Sequence, residues 1–128
     1  MSRFVSGRSG KGASFTSDHS GSLHALAMRH TARAMAPLGI LSVWFIAHLA
    51  GKPYEAARAE LGRPFPALTL IAFIAIAAYH ARLGVETIVE DYVHDEDLKA
   101  KALLINKWLM ILVAAIWTLS IMIVAAPR

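Results

Sequence analysis

Three stretches without Asp, Glu, Lys or Arg govern what this chain can become: Ala34 to Ala50, Pro64 to Ala81 and Trp108 to Pro127. A helix needs about 20 residues, within a range of roughly 17–25, to cross a hydrocarbon core about 30 Å thick. All three reach that length, the first two narrowly. The first two helices are expected to extend beyond their charge-free parts, helix 1 back toward Ser22 to Leu26 and helix 2 past Arg82 toward Val89. Polar side chains drawn into helices at the membrane boundary face protein, cofactor or water in preference to lipid.

Composition agrees with this reading. At 56% hydrophobic and 17% charged over 128 residues, the chain is too apolar for an ordinary soluble domain of its size. Cysteine is absent, so thiolate metal sites, iron–sulfur clusters and disulfides are excluded, and any metal ligand must be nitrogen or oxygen. The net charge of +4 does not mark a nucleic-acid binder, because the basic residues flank apolar segments and are not interleaved with aromatics. No nucleic-acid partner is expected; the bilayer is.

The predicted architecture is an all-α membrane protein with three transmembrane helices, at about 24–50, 65–90 and 103–126, within a unit spanning 21–128. Gly51-Lys52-Pro53 stops the first helix, and Gly62-Arg63-Pro64 with Pro66 opens the second. Tyr54 to Leu61 is expected to form a short interfacial amphipathic helix, and Glu90 to Lys101 an exposed polar loop. Pro37 is expected to kink or loosen the first helix. Residues 1–20, rich in Ser and Gly, are predicted to be a disordered cytoplasmic tail. Phe4, Val5 and Phe15 stand alone there, so no cleavable export signal is expected.

Basic residues set the orientation. Arg3, Arg8, Lys11, Arg29, Arg33, Arg82, Lys99, Lys101 and Lys107 lie on one side, against Lys52, Arg58, Arg63 and Arg128 on the other. The positive-inside rule then places the N-terminus in the cytoplasm and the C-terminus across the membrane.

The chemistry concentrates in Tyr79 to Tyr92. His80 sits at the end of an apolar run, and Asp91 and Tyr92 follow about 16–18 Å further along the helix axis, with Asp91 within about 20° of the histidine's face. Gly84, one turn after His80, presents no side chain and would let a flat macrocycle or another helix approach. An intramembrane histidine is a functional candidate, and neutral imidazole is an axial ligand for haem iron; it is also a group that packs helices together. His48 is the other intramembrane histidine, near the opposite end of helix 1, so a second ligand would come from another subunit. Taken alone, Tyr92 beside Asp91 reads as an interfacial aromatic next to a helix-ending acid. His19, His30 and His94 are read as exposed and unliganded. Trp44, Trp108 and Trp117 are read as packing or interface residues.

The block His80-Ala-x-x-Gly84, then Val89-x-Asp91-Tyr92, together with Arg29-x-Thr31-Ala32 ahead of Pro37-Leu38 and Trp44, resembles the hydrophobic membrane anchors of succinate dehydrogenase, respiratory complex II. The likeness is greatest to the D-type anchors of proteobacterial and mitochondrial enzymes, and it covers roughly Ser22 to the C-terminus. It implies one half of a heterodimeric anchor bundle, with a C-type anchor as companion and an iron–sulfur subunit and a flavoprotein as soluble partners. It implies that His80 is an axial ligand of haem b, the companion giving the other. Tyr92 would hydrogen-bond ubiquinone, Asp91 would help to organise that site, and Arg29 would lie near the haem propionates, with His24 as a possible assistant there. Such an anchor has no catalytic residue of its own and is an enzyme only as part of its complex, in a bacterial inner membrane. Arg82 and Glu86 make this stretch more charged than in some relatives. Three other readings compete: a fumarate reductase anchor, a structural or assembly protein without haem, and a proton-relay subunit using His80, Glu86 and Asp91.

Overall fold

The computed structural model describes residues 19–126, with side chains from residue 21 onward. Four helices follow in order: α1 (His19–Leu49), α2 (Tyr54–Leu61), α3 (Pro64–Tyr92) and α4 (Glu96–Ala125). Three of them are long and apolar enough to span a bilayer, over Gly21–Leu49, Pro64–Tyr92 and Glu96–Ala125. The chain is an all-α, multi-pass membrane protein. The segment expected to be a tail lies outside the described residues except for His19 and Ser20, which already belong to α1.

The helices form because apolar backbone in a bilayer must close its own hydrogen bonds, and their ends follow local chemistry. Gly51 takes a positive φ of 77° just after α1, a conformation that favours glycine, and the chain turns there toward the short helix α2. Pro64 and Pro66 occupy the first turn of α3, where no intrahelical donor is required of them. Pro37 lies inside α1, and the helical assignment continues on both sides of it.

The second loop is shorter than the polarity of Glu90 to Lys101 predicts. Glu90 to Tyr92 complete α3, α4 begins at Glu96, and only Val93 to Asp95 connect them. Asp95 caps α4, its side chain accepting from the Leu98 N–H at 2.7 Å, while Glu96 and Asp97 sit in the first turn. A cap of this kind is worth about 1 kcal/mol, and acids there complement the helix dipole. The acidic run is therefore a helix start, not a loop.

α3 is the central helix and packs against both α1 and α4, while α2 lies across the ends of α3 and α4. Among the described residues the buried polar side chains, Ser42, Thr69 and Asn106, stand beside an equally short apolar set of Phe45, Leu83 and Ile121. Ile40, Trp44, Phe65, Trp108, Ile116 and Trp117 are all exposed on the protein surface. Lipid is as apolar as leucine, so close packing and interhelical hydrogen bonds hold such a bundle, and not burial of apolar area. Gly39 shows the close packing: a β-carbon there would stand 3.3 Å from the Phe73 ring. Asn106 shows the hydrogen bonding, its Nδ2 donating to the Arg82 carbonyl of α3 at 2.9 Å.

Candidate functional site

α3 has 29 residues and is about 43 Å long, roughly 13 Å more than the hydrocarbon core. Its last turns therefore leave the apolar layer, which explains why polar residues accumulate from Arg82 onward. Arg82 and Glu86 pair with each other along the helix, Nε to Oε1 at 2.7 Å, so neither charge is isolated at that depth. Asp91 and Tyr92 lie in the final turn, Tyr92 being 78% exposed. No described residue hydrogen-bonds either side chain.

His80 is half-buried on α3, and its Nδ1 lies 2.7 Å from the Thr31 hydroxyl of α1. Seven residues earlier on α1 and seven later on α3 a second contact joins them, with the roles exchanged: His24 Nε2 on α1 lies 3.1 Å from the Thr87 hydroxyl on α3. The two helices are antiparallel, so His24 and Thr31 on one face Thr87 and His80 on the other in one register. Each hydroxyl also back-bonds to its own helix. Thr31 reaches the Ala27 and Met28 carbonyls at 2.8 and 3.1 Å, and Thr87 reaches the Leu83 carbonyl at 3.2 Å. A β-carbon at Gly84 would meet nothing within 4 Å. The space one turn beyond His80 is left open by both neighbouring helices.

The remaining histidines have other surroundings. His48 lies at the opposite end of α1, stacked on Trp44 with ring centroids 5.7 Å apart, and its Nε2 is 3.4 Å from Glu60 of α2. It is not brought near His80. His30, His94 and Arg29 are exposed, and no described carboxylate pairs with Arg29. Trp44 adds a tilted contact to Phe45 at 5.0 Å; Trp108 carries the Lys107 ammonium 5.9 Å from its ring. Among the described residues no cluster of three or more His, Asp or Glu could hold a bare metal ion.

A bundle of three helices long and apolar enough to span a bilayer agrees with what related sequences are. Residues 11–123 match the family described as succinate dehydrogenase/fumarate reductase transmembrane subunit. The chain belongs to that family. Its relatives include the succinate dehydrogenase hydrophobic membrane anchor subunit of Paracoccus denitrificans, 32% identical over 106 residues that cover 81% of each chain. The protein of the same name from Rickettsia felis is 33% identical over 81 residues, 63% of this chain and 68% of the relative. That from Rickettsia typhi is 28% identical over 102 residues, 80% and 82%. No solved structure matches.

Within this transmembrane subunit, the sequence-predicted residues occupy two levels of α3, His80 inside the bundle and Asp91 with Tyr92 at its polar end. Arg29 lies on α1 between His24 and Thr31, the two residues that bond α3. His24 bonds Thr87. The polar contacts that sequence reasoning missed are Thr31, Thr87 and Asn106. A signal for the first two existed: His24 and Thr31 are seven apart, as are His80 and Thr87, in reversed order, which is the pattern of an antiparallel pair.

Proposed function

We propose that this chain is the membrane anchor subunit of a succinate:ubiquinone oxidoreductase, giving an axial histidine to haem b and part of the quinone-reduction site. The observation that carries the reading is His80 itself: Nδ1 engaged, Nε2 bonded by no described residue, and open space one turn away at Gly84. That donor set fits a haem, which needs one neutral imidazole nitrogen and room for a flat ring. When bound, the haem supplies one-electron storage close to the quinone.

The residues of this chain have separable tasks. His80 would hold the haem iron through Nε2, and a C-type companion anchor would supply a second histidine. Arg29, with no described carboxylate partner, offers charge-assisted hydrogen bonds to propionates. A flavoprotein and an iron–sulfur subunit oxidise succinate to fumarate, releasing two electrons and two protons, and the quinone takes up two of each to become quinol. Tyr92 donates its phenolic hydrogen bond to a quinone carbonyl oxygen, strongest as negative charge develops there. Asp91, beside it and exposed, helps to organise the same site. The polar end of α3 faces the cytoplasm in this reading, in a bacterial inner membrane, with the C-terminus in the periplasm. Succinate oxidation is favoured over fumarate reduction because the three relatives above carry the succinate dehydrogenase name.

The test is an optical spectrum of the complex purified from membranes. A low-spin b-type haem band is expected in the wild type and lost in His80→Ala. A wild-type complex without that band would overturn the reading.

A further inference from the structure

We propose that Thr31 is a positioning residue for His80, accepting a hydrogen bond from the imidazole Nδ1–H and so leaving Nε2 as the bare, aimed donor. The proposal rests on the reading of His80 as a haem ligand and adds the residue that orients it.

A threonine hydroxyl has one proton and two lone pairs. The Thr31 oxygen lies 2.8 Å from the Ala27 carbonyl and 3.1 Å from the Met28 carbonyl, both on its own helix, and these can only accept. With the proton directed there, the oxygen presents lone pairs to His80 Nδ1 at 2.7 Å, and the ring nitrogen must be the donor. A neutral imidazole protonated at Nδ1 has its free lone pair at Nε2. A ligating histidine is commonly fixed in this way, through its other N–H, which sets tautomer and ring rotation and raises the basicity of the ligand.

The oxygen is itself well placed to hold a ring still. Threonine is stiff at χ1, and the back-bond restricts it further. Sliding of α1 along α3 would break the contact, and two other contacts oppose sliding. One is the His24–Thr87 bond seven residues away, the other the close approach of Gly39 to the Phe73 ring.

Comparison with the other bonded imidazoles sharpens the assignment. His24 is engaged through Nε2, by Thr87, and His48 through Nε2, by Glu60. Their uncommitted nitrogen is Nδ1, next to Cβ and sterically recessed. Of these three histidines, His80 alone is held by Nδ1 with Nε2 bonded by no described residue.

The experiment uses the intact complex and reads the haem itself. Thr31→Val removes the acceptor at nearly constant volume, and Thr31→Ser keeps the hydroxyl. Without the hydrogen bond the imidazole is a weaker donor to ferric iron, so Thr31→Val is expected to raise the haem midpoint potential and to shift the g-values of the ferric low-spin EPR signal. Thr31→Ser is expected to restore both. If the valine variant does not assemble, Thr31→Ala is measured in its place. Haem lost from the valine and alanine variants but kept in Thr31→Ser is the stronger form of the same result. A Thr31→Val complex that keeps haem with unchanged potential and EPR spectrum overturns the proposal, as does a Thr31→Ser complex shifted as far as the valine one. A wild-type complex without b-type haem overturns both this proposal and the reading of His80, so the two failures are told apart.

Discussion

The two ends of the bundle treat their polar groups in opposite ways. At the end formed by α2 and the C-terminus of α4, polar groups are closed on each other. Lys52 and Glu60 pair, His48 approaches the same carboxylate, and Arg58 donates to the Val124 and Ala126 carbonyls at 2.9 and 3.0 Å. The arginine thus meets carbonyls that the end of α4 leaves unpaired, where the helix dipole also favours a cation. At the other end Asp91 and Tyr92 are exposed and bonded by no described residue. In the proposed reading, the quinone and the soluble subunits meet the bundle at the end where Asp91 and Tyr92 stand exposed.

The largest effect expected on this contrast comes from Tyr92→Phe. Quinone reductase activity of the complex is expected to fall by about 100-fold, the scale for removing one hydrogen-bond donor from a site of developing negative charge. Succinate oxidation with an artificial dye acceptor is expected to stay intact. Equal loss of both activities would show that the open end only stabilises assembly, and the contrast would fail.

Next comes Arg58→Met at the closed end. Two hydrogen bonds from a charged donor would be lost, with an expected destabilisation of about 1.5–3 kcal/mol, read as a lower midpoint of thermal unfolding in detergent. Quinone turnover at low temperature should be unchanged. A variant as stable as the wild type would mean that the α4 terminus is satisfied by water.

The smallest effect concerns the Glu60 carboxyl, which its hydrogen bond to the Lys52 ammonium, opposed by some desolvation and aided by the charges of Lys52, His48 and Arg63, holds below the ordinary 4.5. Because the folded value is depressed, this pair contributes stability above pH 4.5 that is lost as pH falls through the lower folded value. Lys52→Met is expected to move the carboxyl back up, detectable by infrared titration of a labelled glutamate, with only a slight change in stability because the group is solvated. An unchanged titration would remove Lys52 from the closed cluster.

Much of the fold was legible in the chain because bilayer physics acts on one-dimensional information. A run such as Trp108 to Pro127 has few alternatives to a helix, and Gly51, Pro53, Gly62 and Pro64 mark stops that depend on backbone sterics alone. The start of α4 was misread because a run of acids and lysines looks like a loop until Asp95 is seen as a cap. The two levels of α3 followed from helical rise and from where the apolar run ends. The His80–Thr31 bond did not, since the matching seven-residue spacings of His24–Thr31 and His80–Thr87 become contacts only once α1 and α3 are set in register.

The sequence by itself determined that this protein is three spans with an interfacial helix, and that one imidazole and one polar helix end share α3. Length, hydropathy and helical periodicity are local properties, and local properties survive in a string of letters. Only the tertiary structure decided which nitrogen of His80 is engaged, that His24 faces Thr87, and that Arg58 closes α4. These are contacts between segments 49, 63 and 66 residues apart, and the register that creates them is set by how α1, α2 and α4 pack around α3.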